Sequence, residues 1–158
     1  MNDRRSFLAA AAALTATLLS RGSIAAPGQR FPVSHTPAEW RRLLGPDRYA
    51  ILREGGTERP FSSPLNKERR RGVFVCAGCA QPLFSSSTKF ESGTGWPSFW
   101  RALPRAVLTR TDRSLMMVRT EVLCARCGGH LGHVFKDGPR PTGLRYCMNG
   151  LALRFRAA

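Results

Sequence analysis

The most informative parts of this chain are Cys76-Ala77-Gly78-Cys79 and Cys124-Ala125-Arg126-Cys127-Gly128-Gly129. Each C-x2-C pair lies where a strand-like apolar run meets a glycine-containing turn, and 44 residues separate the two pairs. Such turns allow two thiolates from each pair to converge on one tetrahedral Zn²⁺ ion. The sequence therefore predicts one structural zinc site formed by Cys76, Cys79, Cys124 and Cys127.

Two other arrangements of these thiols are compatible with the sequence. An oxidising compartment would permit two disulfides, but a disulfide within one C-x2-C closes a very short loop and constrains the unfolded chain little. His130 follows the second pair closely and could replace one thiolate in a Cys₃His site. We expect four thiolate ligands, because the sequence already supplies them.

Upstream of the first pair, the sequence predicts two short helices. Thr36-Pro37-Ala38-Glu39 matches a capping box with proline at the first helical position, and Gly45-Pro46 ends that helix. The second helix is expected over residues 47–53 and ends at Gly55-Gly56.

From Gly72 onward, short apolar runs alternate with glycine, proline and serine. These runs are typical of strands in an antiparallel, loop-rich domain, and they cover Val73–Val75, Leu115–Val122, His133–Phe135 and Leu151–Phe155. A length of 158 residues with 42% hydrophobic content suits one globular domain, which we place at residues 36–158. The expected fold class is mainly β, with short N-terminal helices and a zinc site that holds it together.

The first 25 residues have the order of an export signal. Arg4-Arg5 precedes an uncharged run from Leu8 to Ser20, and small residues at Ser23 and Ala25 suit signal-peptidase cleavage. Paired arginines in this place resemble a twin-arginine signal, with an ordinary secretory signal or an uncleaved anchor as alternatives. We expect residues 1–25 to be the signal peptide, residues 26–35 a flexible lead-in, and the protein to be exported to the periplasm.

The chain is strongly basic, with 25 Lys and Arg against 10 Asp and Glu and a formal net charge of +15. Such a charge is compatible with a nucleic-acid partner. However, the arginines are spread along the chain, and the one dense run, residues 67–71, is typical of a solvated turn. We therefore expect no nucleic-acid partner.

Cys147 is the fifth cysteine and has no partner among the two pairs. On a strand, residues two apart share a face, so Arg145, Cys147 and Asn149 are predicted to face one pocket. A guanidinium at that position would stabilise the nucleophilic thiolate form of the sulfur. The alternative is an inert cysteine buried on a core strand, and local spacing does not decide between the two.

Four separated motifs resemble the signatures of the methionine-R-sulfoxide reductase B family. They are Ser92-Gly93-Thr94-Gly95-Trp96-Pro97-Ser98-Phe99, His130-Leu131-Gly132-His133-Val134-Phe135, Asp137-Gly138-Pro139 and Arg145-Tyr146-Cys147-Met148-Asn149. Gly55-Gly56-Thr57-Glu58-Arg59-Pro60-Phe61 resembles the N-terminal motif of the same family. The similarity extends from about Pro37 to Phe155, which is nearly all of the chain after the leader.

The resemblance implies two small antiparallel sheets around a central core, in the β-tent type of fold, with structural zinc in members that keep both C-x2-C pairs. It implies reduction of the R epimer of methionine sulfoxide, with Cys147 as the nucleophile. It also implies that Trp96 forms the apolar wall for the substrate methyl group, with Phe135 as a further candidate.

The chemistry of a sulfoxide suggests roles for the remaining polar residues. Thiolate attack on the sulfur builds negative charge on the oxygen, which therefore needs hydrogen-bond donors. His130 and His133 could donate directly or through a water molecule. Arg145 would stabilise the Cys147 thiolate, and Asn149 would orient a histidine or the oxygen by hydrogen bonding.

Attack by Cys147 would leave a sulfenic acid and release methionine. Many members of the family carry a resolving cysteine where this chain has Thr94, so no internal disulfide is expected here. We expect an external, thioredoxin-like thiol to regenerate Cys147. The expected clients are oxidised proteins or peptides, with peptide-bound sulfoxide preferred, and the expected state is a monomer.

Two functions from other classes compete with this interpretation. Small zinc β-folds often bind protein or nucleic acid without catalysis, and a C-x2-C pair can act as a redox centre in a thiol–disulfide oxidoreductase. The second function usually places C-x2-C at the start of a helix in a βαβ unit, a pattern absent from this sequence.

Overall fold

The structure is a computed structural model that describes residues 30–158. The predicted signal peptide, residues 1–25, and the first part of the lead-in lie outside the described residues. Within the described residues, no helix combines the length and the apolar character needed to cross a membrane.

The helical region α1 covers Pro37–Glu54 and contains a kink at Gly45, where φ is 71° and ψ is 171°. The Thr36 side chain accepts from the Glu39 N–H while the Glu39 carboxylate accepts from the Thr36 N–H, which is the predicted capping box. Gly55 ends the helix in the left-handed conformation that glycine adopts without strain. The two predicted short helices are thus confirmed as two segments of one kinked helical region.

The remainder is a set of short strands, and every strand pairing is antiparallel. In chain order the strands are β1 (Gly72–Cys76), β2 (Pro82–Ser85), β3 (Lys89–Phe90), β4 (Ser98–Phe99), β5 (Val107–Asp112), β6 (Arg119–Cys124), β7 (His130–Phe135), β8 (Arg145–Met148) and β9 (Leu153–Ala157). They form a three-stranded sheet, β2-β1-β9, and a six-stranded sheet, β3-β4-β8-β7-β6-β5. The expected fold, mainly β with two antiparallel sheets, is confirmed.

Aromatic side chains fill the space between the two sheets. The Phe74 and Phe99 rings meet edge to face with centroids 4.9 Å apart, and Phe84 stacks on Phe99 at 4.4 Å. All three rings are fully buried, and Trp40 and Leu52 of α1 pack against the same cluster. Because this core receives one face of the six-stranded sheet, the opposite face is free for polar side chains.

Two predicted segments differ from the structure. Leu115–Val122 was expected as one strand, but Ser114–Met116 is a 3₁₀ turn and β6 begins only at Arg119. Likewise, Gly150–Ala152 is a 3₁₀ turn ahead of β9. In both places an apolar run extends into a turn, so composition alone overestimates the length of the strand.

The described end of the predicted lead-in contacts the folded domain. The Val33 N–H donates to the Arg126 carbonyl at 3.0 Å, and the Trp40 ring meets His35 edge to face. A Cβ on Gly128 would overlap the ring of Phe31, so that ring lies directly on the glycine backbone. These residues cover the second cysteine turn.

Candidate active site and metal centre

The four cysteines of the two C-x2-C pairs form one cluster in which all sulfur atoms lie within 4.8 Å of one another. The sulfurs of Cys76 and Cys127 are 3.7 Å apart, and those of Cys79 and Cys124 are 3.5 Å apart. A tetrahedral zinc–thiolate site places its sulfurs about 3.8 Å apart, because each zinc–sulfur bond is about 2.3 Å long. The donor set and its size therefore fit one structural Zn²⁺ ion.

Glycine-containing turns at strand ends position these sulfurs. Cys76 ends β1, and its carbonyl accepts from the Ala80 N–H, which closes the first turn at 2.9 Å. Cys124 ends β6, and its carbonyl accepts from the N–H of Gly128, which has the left-handed φ of 68°. The two turns repeat one local geometry, and the cluster joins the ends of strands from different sheets.

The alternative arrangements of the cysteines do not match the structure. All five cysteines are free thiols, and the closest sulfurs belong to different C-x2-C pairs, at distances far above the about 2.05 Å of a disulfide. His130 uses its Nδ1 for a hydrogen bond to Glu121 and is not part of the cluster. Neither pair begins a helix, so the redox pattern of a thiol–disulfide oxidoreductase is also missing from the described residues.

Cys147 lies on β8, which pairs with β4 on one side and β7 on the other. Its direct neighbours across the sheet are Ser98 and His133. The Thr94 hydroxyl approaches its sulfur at 3.8 Å, and the side chain is partly exposed. The thiol is therefore open to solvent on the polar face of the sheet, unlike the inert core cysteine considered as an alternative.

A β-bulge brings both histidines to this face. Val122 pairs with Gly132, but Leu123 pairs with His130, so Leu131 is an extra residue on β7. Residues three apart on a regular strand point to opposite faces. The bulge changes this alternation, with the result that the rings of His130 and His133 meet at 5.4 Å while Leu131 is fully buried in the core.

Each histidine is held by a carboxylate. His130 Nδ1 donates to Glu121 at 2.7 Å, and Glu121 also binds Arg110. His133 Nε2 donates to Asp112 at 2.8 Å, and Asp112 also receives Arg119 at 2.7 Å. Because an ionised carboxylate only accepts, these contacts leave His130 Nε2 and His133 Nδ1 for other partners.

The pKa shifts of this network follow from burial and charge. Burial lowers the pKa of His133, with a further contribution from Arg119, and this outweighs the opposite effect of Asp112. Hydrogen bonds from Ser114 and His133 hold the pKa of Asp112 well below its usual range. Burial would raise the pKa of Glu121, but hydrogen bonds from His130 and Arg110 lower it. Both carboxylates are therefore ionised at neutral pH.

Arg145 has a more specific environment than the sequence indicated. Its Nε and Nη2 atoms donate to both oxygens of Asp137, at 2.9 and 2.8 Å, and its guanidinium lies 4.5 Å over the Phe135 ring. The ion pair with Asp137 raises the pKa of Arg145, and the nearby Cys147 sulfur adds to this increase. Arg145 is thus fixed in its charged form beside the thiol.

Asn149 has contacts that differ from its predicted ones. Its Oδ1 accepts from the Glu58 N–H at 3.0 Å, and its Nδ2 donates to the Leu131 carbonyl at 3.3 Å, so its side chain binds backbone rather than a histidine. β8 ends at Met148, and the strand alternation that would align Asn149 with Cys147 therefore does not extend to it.

Glu58 links Asn149 to the predicted substrate wall. The Glu58 carbonyl accepts from Trp96 Nε1 at 3.2 Å, and its buried carboxylate accepts from the N–H groups of Gly150 and Leu151 at 2.5 and 2.9 Å. The backbone of one residue thus fixes both Trp96 and Asn149. The Gly55–Phe61 motif pointed to this segment, but nothing in the sequence identified the role of Glu58.

The arrangement brings a partly exposed thiol, a fixed guanidinium and two oriented imidazoles to one face of the sheet, and the Trp96 indole lies in the loop before β4, bound to the Glu58 carbonyl. Among the predicted site residues, Cys147, His133, Arg145 and Phe135 are direct neighbours through the β7–β8 pairing. His130 Nε2 is buried and has no hydrogen-bond partner among the described residues. A nucleophile and donors for a developing oxyanion are the parts that sulfoxide reduction requires.

Comparison with known proteins gives a consistent result. The SelR domain family matches residues 44–157 of this chain. A protein of Methanosarcina barkeri, named peptide methionine sulfoxide reductase MsrB, is 54% identical over 125 residues, which are 78% of this chain and 88% of that protein. A protein of the same name from Thiobacillus denitrificans is 59% identical over 121 residues, which are 76% of this chain and 92% of that protein. Another from Agrobacterium fabrum is 54% identical over 124 residues, which are 78% of this chain and 92% of that protein.

Proposed function

The chain belongs to the SelR-domain family of peptide methionine sulfoxide reductases, and we propose that it reduces the R epimer of methionine sulfoxide through Cys147. The observation that carries the proposal is the position of the Cys147 thiol, which lies opposite His133 on the polar face of the sheet and beside the charged Arg145. Peptide-bound sulfoxide is the proposed substrate.

The proposed first step is attack of the Cys147 thiolate on the sulfoxide sulfur. The substrate methyl group packs on Trp96, and His130 Nε2 and His133 Nδ1 donate to the oxygen, directly or through water. The oxygen passes to Cys147, so the products are methionine and a cysteine sulfenic acid. Arg145 holds the thiolate before the attack, and Asn149 fixes the backbone next to the site.

The proposed second step regenerates the thiol with an external reductant. One thiol condenses with the sulfenic acid to give a mixed disulfide and water, and a second thiol releases Cys147 as the free thiol with formation of the external disulfide. The Thr94 hydroxyl lies 3.8 Å from the Cys147 sulfur, and threonine cannot form an internal disulfide. The proposed reductant is therefore a thioredoxin-like or other small thiol donor.

Mass spectrometry tests this route after one equivalent of a methionine-R-sulfoxide peptide is added without reductant. Wild type should gain one oxygen, about 16 Da, on Cys147, with one methionine released per chain. The Cys147→Ser variant should keep the fold and release no methionine. Thr94→Cys should instead form a disulfide with Cys147, because its sulfur would lie about as close as the present hydroxyl.

Two results would contradict the proposal. The first is an internal disulfide in wild type, which would also remove thiols from the metal cluster. The second is undiminished turnover by Cys147→Ser.

We also propose that residues 1–25 export the protein to the periplasm, where it would repair oxidised exported proteins. The paired Arg4 and Arg5 before an apolar run support a twin-arginine route, and that route would allow the thiol cluster to bind zinc before export. Cell fractionation of the full chain tests this proposal. Replacing both arginines by lysine should keep the protein inside, whereas unchanged export would reject the twin-arginine route.

A further inference from the structure

Phe61 has two unfavourable features, which are an exposed side chain and a left-handed backbone conformation in the turn that the Ser62 N–H closes on the Arg59 carbonyl. Its side chain is 71% exposed, so the ring loses most of the gain from burial. Its φ is 64°, in the left-handed region, where a side chain with a Cβ is strained. A residue that carries both penalties is a candidate for function, because strained residues persist where surrounding contacts hold them and concentrate at binding sites.

The surrounding contacts hold Phe61 against Gly95. The Phe61 N–H donates to the Gly95 carbonyl at 2.7 Å, and Asn66 Nδ2 donates to the same oxygen at 2.9 Å. Gly95 has a φ of 91°, and a Cβ built on it would lie 2.9 Å from Cδ2 of Phe61. The aromatic ring therefore rests directly on the glycine backbone, and a larger residue at position 95 would push it away.

The loop that carries Gly95 also carries two residues of the proposed active site. Thr94 lies on one side of Gly95, with its hydroxyl 3.8 Å from the Cys147 sulfur. Trp96 lies on the other side, with its indole bound to the Glu58 carbonyl. Phe61 is thus next to the residue that separates these two.

The contact with Gly95 accounts for a small part of the ring, because 71% of the side chain is exposed. Among the large apolar side chains that are exposed in residues 30–158, Phe61 is the aromatic one, and the others are Leu43, Met116, Met117 and Val118. An exposed aromatic ring offers a large, rigid apolar surface to a ligand at small entropic cost. Gly95 adjoins Trp96, the proposed wall for the reacting methyl group, so a ring on Gly95 is placed for contact with a neighbour of the reacting residue.

We propose that Phe61 binds an apolar side chain next to methionine sulfoxide in an extended client peptide. The inference rests on the proposed function and specifies its substrate class: unfolded segments in which leucine, valine or an aromatic residue adjoins the oxidised methionine. Such segments are buried in folded proteins and become accessible on unfolding. Phe61 is a specificity residue in this scheme and takes no part in the chemical step.

Steady-state kinetics with three substrates test the proposal. The substrates are the N-acetyl, C-amide form of methionine-R-sulfoxide, a tripeptide with leucine on both sides, and a tripeptide with serine on both sides. The variant is Phe61→Asn, because asparagine accepts the left-handed conformation while it removes the ring. Leu43→Gln, which removes an exposed apolar side chain from α1, is the matched control.

The expected result is a change confined to one substrate. Phe61→Asn should lose about tenfold in kcat/KM for the leucine tripeptide, mostly through KM, which corresponds to partial burial of a phenylalanine side chain. The capped amino acid and the serine tripeptide should be reduced as by wild type, and Leu43→Gln should match wild type on all three substrates.

Other results overturn the inference. An equal loss on all three substrates would make Phe61 a part of the active-site framework, and no loss on any of them would leave the ring without a role in peptide binding. Failure of wild type to reduce any of the three substrates would overturn the proposed function itself, and it would be visible before any variant is compared.

Discussion

At the level of single residues, the carboxylates decide which nitrogen of each histidine remains available for the proposed substrate. Glu121 takes the N–H at Nδ1 of His130, and Asp112 takes the N–H at Nε2 of His133. Loss of a carboxylate would therefore free the ring to rotate or change tautomer, as well as alter its charge. Asp112 and Glu121 act as positioning residues for the proposed donors.

Asp112→Asn is predicted to move the pH dependence of the reaction. The Asp112 carboxylate raises the pKa of His133 against burial and against Arg119, so its removal lowers that pKa further. A donor must be protonated, and the rate should therefore fall with rising pH through the pKa of His133. The descending limb of the pH profile of kcat/KM should shift to lower pH in the variant.

Asp137→Asn serves as the comparison, because Asp137 binds Arg145 and has no contact with either histidine among those described. It should leave the position of that limb unchanged. If the descending limb of the kcat/KM profile lies at the same pH in Asp112→Asn and in wild type, His133 is excluded as the titrating donor.

The sequence indicated the candidate reactive groups of the site but not their hydrogen-bond partners. Cys147 and the two histidines belong to short motifs that name them directly. Asp112 and Glu121 could not be assigned, because their contacts depend on how β5, β6 and β7 align, and strand alignment is a property of residues far apart in the chain. The side-chain contacts of Asn149 depend on where β8 ends, which is equally invisible in the sequence.

At the level of elements, β7 depends on its bulge and on the glycine that follows it. Gly132 pairs with Met148 of β8, and a Cβ at position 132 would overlap the Cys147 carbonyl oxygen. The close approach of β7 to β8 at this point places His133 opposite Cys147. Only glycine allows that approach, since its φ of 154° also lies outside the range that other residues prefer.

Gly132→Ala is predicted to separate β7 from β8. The added methyl group has no space, so we expect a loss of about 3 kcal/mol or more in the free energy of unfolding, and a fall in kcat because the histidines move away from the thiol. Urea denaturation and steady-state kinetics measure the two effects.

Gly143→Ala is the matched control for this substitution. Gly143 has a φ of 69° with open space around it, so its replacement should cost only about 1–2 kcal/mol from backbone strain. Equal losses in the free energy of unfolding of the two variants would show that glycine is needed at position 132 for its backbone conformation and not for the close contact with β8.

Elements with local signals were predicted well. The capping box at Thr36 and the glycines at 45 and 55 fixed the bounds of both helical segments, because caps and stops involve residues only a few positions apart. The bulge in β7 has no such local signal. The run before β6 has the apolar composition of a strand, because the turn at Ser114–Met116 is also rich in apolar residues.

At the scale of the whole molecule, the cysteine cluster connects the two sheets. Cys76 lies at the end of β1 in the three-stranded sheet, and Cys124 lies at the end of β6 in the six-stranded sheet. Four ligands from two distant turns therefore close a long loop of chain. Metal binding of this kind contributes directly to the free energy of folding, because the site does not exist in the unfolded chain.

Cys79→Ser is predicted to lose zinc and much of the thermal stability. Wild type should contain one zinc ion per chain and have one thiol, Cys147, that reacts readily before the metal is removed. The variant should contain little zinc and should unfold at a clearly lower temperature, since a structural zinc site contributes several kcal/mol to folding. Metal analysis, thiol titration and calorimetry measure these quantities.

Cys147→Ser provides the control, because it removes a cysteine from outside the cluster. It should keep the zinc content and melting temperature of wild type while it loses the readily titrated thiol. A wild-type protein that contains no zinc after purification from metal-replete medium would contradict the assignment of the cluster.

The position of Cys147 on a strand bonded on both sides has a consequence for turnover in the cell. The sulfur sits on a strand that is hydrogen-bonded on both sides, so in the proposed mechanism every reducing molecule has to dock at the sheet and bring its own thiol within bonding distance. The lifetime of the sulfenic acid is then set by how often a reducing thiol meets the protein, and not by an internal rearrangement. When donors are scarce, the protein should accumulate in its sulfenic form and resume repair as soon as supply returns.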